Sequence, residues 1–324
     1  MKKNINVIII GCGNIGYRHL ESIINLNIKM NIFIIEKNKK RLSQIKKKNL
    51  LSNKKNIKIH FFDEIDNFGL IFYFAIIATN SQDRLNLVKK LLKNNKIQHL
   101  LLEKLLAYNF NQLLSLKKYL STVSTKIYVN TPRRFMEVYK NIKKQIDYKK
   151  PIIIEYKGNK WNFSSNSIHF IDLFCFLSED IDINCTSLRI LKKRYSKRKN
   201  YSEFYGFCYF INSKEGSLYL SDSSKTAKKS SSTIKINNLK NSFFINEIDG
   251  YYYKKDNKLD KIIDKKNFKF ELQSKLTEKY IKYLIQGKKL TLTTFEESFF
   301  HHYHFYKKFF NEIKKLKYKN IKIS

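Results

Sequence analysis

Three glycines in Gly11-Cys12-Gly13-Asn14-Ile15-Gly16 have the spacing that lets a backbone close on a phosphate. Gly11 permits a tight turn, Gly13 clears the space where a pyrophosphate would lie, and Gly16 lets a helix pack closely on a strand. A helix opening at Asn14 and Ile15 would offer that anion free N–H groups and a positive dipole end. Twenty residues after Gly16, Glu36 is placed to accept hydrogen bonds from the hydroxyls of an adenosine ribose. The chemistry implied is dinucleotide binding. A carboxylate at position 36 repels a 2′-phosphate and points to NAD, whereas Lys37 and Arg41 could greet that phosphate and leave NADP open.

Other reactive residue types carry less. Cys12, Cys175, Cys185 and Cys208 show no C-x-x-C spacing, which suits a reduced chain with incidental thiols. His301, His302 and His304 cluster, but among Phe299, Phe300, Tyr303, Phe305 and Tyr306, so a helix face is expected there and no metal. The net charge of +37 raises a nucleic-acid hypothesis. The lysines, however, are spread along the chain beside a matching excess of isoleucine and asparagine, so charge alone carries no binding role. The densest basic run, Leu191 to Lys199, is expected to be a solvated loop.

The elements that must position the glycine turn alternate. Strand-like runs at Asn6–Ile10, Met30–Ile35, Ile57–Phe62, Leu70–Ala78, Gln98–Leu102 and Lys126–Asn130 are separated by helical spacings. The helices are expected over Asn14–Asn27, Lys39–Lys48, Gln82–Asn94 and Asn111–Leu120. This rhythm predicts a doubly wound parallel sheet, a Rossmann domain over residues 1–129. Residues 130–324 read as an α+β domain with a largely antiparallel open sheet. Strands are expected at Ile152–Tyr156, Glu203–Asn212, Gly216–Ser221, Thr233–Asn237 and Ser242–Asn246. Helices are expected over Asn166–Leu177, Phe270–Gln286 and Glu296–Lys315. With 43% hydrophobic residues the chain can bury a sizeable core. Its longest apolar stretch, Phe68 to Ala78, is about half the roughly 20 residues that span a bilayer. The start, Met1-Lys2-Lys3 and then Val7 to Ile10, stops at Gly11 and is too short for a signal peptide. The expectation is a cytoplasmic protein with no membrane and no nucleic-acid partner.

In order along the chain, four segments resemble landmarks of the glucose–fructose oxidoreductase and inositol dehydrogenase family, Gfo/Idh/MocA. They are the opening Gly11-Cys12-Gly13-Asn14-Ile15-Gly16-Tyr17-Arg18-His19, then Ala78-Thr79-Asn80-Ser81, then Leu102-Glu103-Lys104, then Gly158 to Asn162 with Ser167 to Asp172. Thr291 to Glu297 before a final helix also fits. The resemblance implies that Thr79, Asn80, Glu103 and Lys104 line the nicotinamide site, with Lys104 as catalytic proton carrier. It implies His169 as the active-site histidine, and Asp172, three residues on, could turn toward the same site as a further acid. Arg133 and Arg134 could reach the substrate or cap the domain junction, and Trp161 could be a sugar platform but is more often a packing residue. Two positions depart from the family's pattern. Leu105 replaces the proline of its E-K-P motif, and Ser165 stands where an aspartate usually precedes the histidine by four residues.

Hydride transfer between NAD and a sugar carbinol would follow. Oxidising an alcohol also requires a group that removes its proton, and a lysine partly desolvated beside a cationic ring has its pKa lowered toward that task. The substrate implied is a small sugar or nucleotide-sugar, as in surface-polysaccharide or sialic-acid-like sugar biosynthesis. A homodimer or homotetramer is implied as well. Ser165 and Leu105 motivate the alternative of a catalytically degenerate NAD-binding sensor or partner protein.

Overall fold

The computed structural model describes residues 4–48, 55–196, 198, 200–223 and 232–324. Met1-Lys2-Lys3, and Lys197 and Lys199 of the basic run, lie outside the described residues. The chain forms two compact units, each discontinuous in sequence. Residues 1–107, 114–130 and 271–295 make the first, and residues 108–113, 131–270 and 296–324 make the second.

In chain order the elements are β1 (Ile5–Ile10), α1 (Asn14–Ile24), β2 (Met30–Ile35), α2 (Lys39–Lys47), β3 (Ile57–Phe62), β4 (Ile71–Ile77), α3 (Arg84–Asn94), β5 (Lys96–Leu102), α4 (Phe110–Leu120) and β6 (Lys126–Val129). A 3-10 turn over Pro132–Phe135 then leads to α5 (Glu137–Lys143), β7 (Ile153–Gly158), α6 (Phe163–Ser178), β8 (Ile183–Tyr195), β9 (Ser202–Asn212) and β10 (Ser217–Asp222). The remainder is β11 (Ser232–Asn238), β12 (Asn241–Asn246), β13 (Tyr251–Asp256), β14 (Lys261–Asn267), α7 (Gln273–Ile285), β15 (Thr293–Thr294) and α8 (Phe295–Lys315).

The sheet of the first unit has the order β15-β6-β5-β4-β1-β2-β3. Its strands run parallel except β15, which pairs antiparallel with β6. This is the expected Rossmann architecture, with strand order reversing direction between β1 and β4, the point where such sheets take ligands. Both faces of the central strands are covered, so Val7–Ile10 of β1 and Phe74–Ile77 of β4 are buried without alternation. Asn38 caps α2 by accepting from the Arg41 N–H, which fixes where that helix starts. The returning helix α7 packs on α1 through Leu276, Thr277, Tyr280 and Ile281, and Ser22 Oγ accepts from the Glu278 N–H at 2.9 Å.

The second unit is built on an eight-stranded sheet in the order β14-β13-β12-β11-β7-β10-β9-β8, antiparallel except for the β7–β10 pair. Burial alternates along β9 and β11, as a sheet with one packed face requires. The solvated loop expected over Leu191 to Lys199 is corrected in its first half. Residues 191–195 finish β8, pairing Lys192, Lys193 and Arg194 with Tyr205, Phe204 and Glu203 of β9. Backbone pairing with the partner strand outweighs the polar composition that made this run look like a loop. Strands β13 and β14, which local composition does not announce, form for the same reason.

Candidate cofactor and substrate sites

The parallel register brings the ends of five strands into line. Ile10 is level with Ile35 and Ile77, Ile77 with Leu102, and Leu102 with Val129. The next residue of each strand continues the ladder. Gly11 N–H donates to Ile35 O, Ala78 N–H to Ile10 O, Glu103 N–H to Ile77 O, and Asn130 N–H to Leu102 O. The glycine turn, Glu36, the Thr79–Asn80 loop and Glu103–Lys104 therefore leave the sheet along one carboxyl edge.

At the turn, Gly11 adopts φ +84°, and a Cβ there would lie 2.6 Å from Thr79 Cγ2. A Cβ on Gly16 would lie 1.9 Å from Gly11 O, so any side chain would push α1 off the turn. Beside Gly13 the nearest atom to such a Cβ is Arg41 Nη1 at 3.9 Å, leaving a backbone surface that an anion can approach. No side chain caps α1, and its first turn holds no acid, so no group of the helix itself opposes its N–H groups and dipole. This cradle fits a pyrophosphate.

Glu36 is 4% exposed, and its carboxylate closes the turn from the side. It accepts from Cys12 N–H (2.9 Å), Asn38 N–H (2.9 Å) and Arg41 Nη1 (3.1 Å). Oε2 takes two of these bonds and Oε1 one, so Oε1 keeps capacity for a ribose hydroxyl. Arg41 Nη1 thus reaches both Glu36 and the space beside Gly13. Lys37, by contrast, is exposed and pairs loosely with Asp83 at 3.5 Å. Burial and the Glu36 charge push the Cys12 thiol up to about 12, which leaves it inert.

Lys104 is half-buried, and both its neighbours are fixed. The Glu103 carboxylate accepts from His19 Nε2 at 3.0 Å and from Asn130 Nδ2. Burial alone would raise its pKa, but those hydrogen bonds, together with the His19 and Lys104 charges, lower it instead. On the other side of the ring, His19 Nδ1 hydrogen-bonds the Thr277 hydroxyl at 2.8 Å. Gln273 Nε2 donates to Thr277 Oγ1, and Asn130 Nδ2 also donates to Gln273 Oε1. The main chain of the Lys104 loop is bound as well, since the Arg84 guanidinium donates to the carbonyls of Glu103, Leu105 and Thr79. The Lys104–Leu105 peptide is cis, although Leu105 is not proline.

In the second unit α6 carries the remaining candidates. Asn162, Asn166 and His169 share its partly exposed stripe, while Ser165 and Asp172 are buried. The Ser165 hydroxyl turns back to Asn162 O at 3.4 Å. Asp172, expected as an acid of the site, is fully buried and paired with Arg134, expected at the substrate. Arg134 Nη2 and Nε reach Asp172 at 2.5 and 3.0 Å, and Nη1 reaches Glu297 at 3.3 Å. Together they form a buried ion cluster. Beside it His301 is fully buried, and burial first, then the Arg134 charge, lower its pKa to about 3. Trp161 is also in the core, with Nε1 donating to Ser221 O and its ring edge-on to Phe170.

Sequence reasoning missed several positioning residues. Asp222 at the end of β10 accepts from the N–H groups of Lys160 and Phe163, capping α6 across a loop in which Lys160 and Asn162 have positive φ. Burial raises its pKa to about 6 against those bonds. Arg133 makes a two-point bond to Glu247, which also accepts from the Tyr139 hydroxyl. A signal for Arg84 did exist, because a basic residue at the first position of a helix opposes the dipole. Among the described residues no group of His, Cys, Asp and Glu could hold a metal, and no helix is long and apolar enough to cross a membrane.

Residues 5–131 match the profile of an oxidoreductase family described by its NAD-binding Rossmann fold. No curated protein matches the chain in sequence. Among solved structures, scyllo-inositol dehydrogenase from Lactobacillus casei, with bound NAD(H) and scyllo-inositol, superposes with TM-score 0.66 at 16% identity. The match covers 97% of this chain and 98% of that one. UDP-N-acetylglucosamine 3-dehydrogenase from Acidithiobacillus ferrooxidans gives TM-score 0.68 at 10% identity, over 95% and 99% of the two chains. A super-repressor mutant of Gal80p from Saccharomyces cerevisiae gives 0.72 at 11% identity, over 97% of each chain. At these identities the likeness speaks for the fold. Residues 5–131 are thus the NAD-binding Rossmann fold of the Gfo/Idh/MocA oxidoreductase family.

Proposed function

We propose that the chain is an NAD-dependent oxidoreductase that moves a hydride between nicotinamide and a hydroxyl-bearing or keto carbon of a sugar or nucleotide-sugar. The observation that carries this reading is the common carboxyl edge. It holds an anion cradle at Gly11–Gly16, a ribose acceptor at Glu36 and a lysine at 104. A bound nicotinamide supplies the hydride acceptor or donor. The chain's own residues do the rest. The α1 N-terminus holds the pyrophosphate, Glu36 accepts from the ribose, and the Thr79–Asn80 loop lines the nicotinamide side. Lys104 Nζ takes the proton from the substrate hydroxyl or returns it. His169 hydrogen-bonds that hydroxyl, and Ser165 leaves it without the acid found in relatives. The names of the inositol and nucleotide-sugar dehydrogenases among the structural matches support a polyhydroxylated substrate. Surface-polysaccharide or sialic-acid-like sugar biosynthesis, and assembly into dimers or tetramers, belong to the same proposal.

A spectrophotometric screen tests the reading by following nicotinamide reduction with NAD and NADP against free and nucleotide-linked sugars. Lys104→Met should then lose about 10²- to 10⁴-fold in turnover while cofactor binding persists. Undiminished turnover removes Lys104 from the chemistry. Ser165 favours one second reading, an NAD-binding sensor without redox activity. Tight NAD binding with no turnover across the whole panel would select it.

A further inference from the structure

We propose that Arg84 is a positioning residue for Lys104, locking the loop that carries Lys104 to the loop that follows β4. The inference rests on the reading of Lys104 above, and its side chain is not one that the activity requires in contact with substrate. Arg84 is 1% exposed, among the largest fully buried side chains of the protein. It opens α3, whose first turn holds no acid, so its charge sits at the wrong end of the helix dipole. Taking a guanidinium out of water is costly, and an apolar residue of similar volume usually serves a core as well or better. Neither helix stability nor packing explains an arginine at this place.

Its hydrogen bonds do. Nη1 donates to the carbonyls of Glu103 and Leu105, the two residues that flank Lys104. Nη2 donates to Thr79 O at 2.5 Å, in the loop between β4 and α3. A planar fork with donors in fixed directions suits this task, because it sets the distance and angle between two backbone segments at once. Glu103 itself is held from its side chain by His19 and Asn130. Lys104 therefore projects from a stretch immobilised on both sides, while its own side chain remains half-buried. A guanidinium behind that stretch also adds a positive charge that does not move.

The test is chemical labelling of Lys104, which needs no substrate. Purified protein is treated with acetic anhydride across pH 6–10, with and without NADH, and the peptide holding Lys104 is followed by mass spectrometry. NAD affinity is measured in parallel by calorimetry. In Arg84→Met the labelling midpoint should rise by about half a pH unit or more, since a nearby cation is lost. Protection by NADH should fall at least about threefold, with NAD affinity, set at the glycine turn, changing less than that. Arg84→Lys keeps the charge and loses the fork, so its midpoint should stay while protection falls. Should Arg84→Met fail to fold, Arg84→Lys carries the test alone. Wild-type labelling and protection in either folded variant overturns the proposal. Absence of NADH protection in the unaltered protein would instead sink the role of Lys104, leaving the midpoint shift as Arg84's own readout.

Discussion

The two units bury charge in different ways. In the first, buried charged groups bond mainly to backbone and side-chain groups that fix a loop. Arg84 holds three carbonyls, Glu36 holds the N–H groups of Cys12 and Asn38, and Glu103 is held by His19 and Asn130. In the second, Arg133 and Arg134 are neutralised by carboxylates. Arg134 is spent on Asp172 and Glu297, and Arg133 on Glu247. The first pattern leaves the carboxyl edge of the sheet shaped for a ligand. The second pattern anchors α6 and the 3-10 turn, and so serves the framework that carries His169. Buried arginine does positioning in one unit and charge compensation in the other.

The sharpest way to break this comparison is Asp172→Ala. If the Arg134 cluster is structural, removing one buried partner should cost about 3–5 kcal/mol, read as a drop in the denaturant midpoint. A loss of turnover at undiminished stability would return Asp172 to the list of catalytic acids. Next in size is Gly16→Ala. A Cβ placed 1.9 Å from Gly11 O must displace α1. We expect about 1–3 kcal/mol of destabilisation and, by calorimetry, a loss of NAD affinity of tenfold or more. Wild-type affinity would mean that the cradle is not where the pyrophosphate lies.

Glu36→Ala addresses cofactor choice. It removes the carboxylate that repels a 2′-phosphate and releases Arg41, which now donates to it at 3.1 Å. The NAD-to-NADP affinity ratio should fall about tenfold, equivalent to about 1.4 kcal/mol. An unchanged ratio would show that Glu36 only braces the turn. The fourth effect concerns acid stability. His301 has a folded pKa lowered to about 3 against an ordinary value of 6.5. The unfolded chain then binds the extra proton between those values, so the stability supplied by neutral His301 is present above about pH 6.5 and lost as pH falls toward 3. Asp222, raised to about 6, acts with the opposite sign over roughly pH 4–6. His301→Phe should therefore flatten the loss of stability on acidification. A slope identical to that of the unaltered protein would show that His301 is not the group responsible.

Much of the first unit is legible residue by residue. The strands at Met30–Ile35 and Ile57–Phe62 fall at the bounds that the sequence predicts, and the glycine turn sits between β1 and α1 as its spacing requires. Parallel strands buried on both faces write themselves as unbroken apolar runs, and helices between them as a repeat near 3.6. The second unit is harder to read. Strands β13 and β14 are rich in lysine and tyrosine, and β14 is mostly exposed, so their only strong signal is pairing with a neighbour. The return of residues 271–295 to the first unit is equally silent in local sequence.

For the site, the sequence by itself determined the glycine turn between β1 and α1, the carboxylate that follows β2 and the order of loops along the sheet. Each depends on backbone conformation and spacing within one βαβ unit, which local residue types control. Only the tertiary structure decided that Asp172 and Arg134 neutralise each other, that Trp161 packs in the core, and that Arg84 grips both sides of Lys104. Those outcomes depend on which distant groups share a dry interior, where a charge must find a partner, and spacing along the chain does not record that.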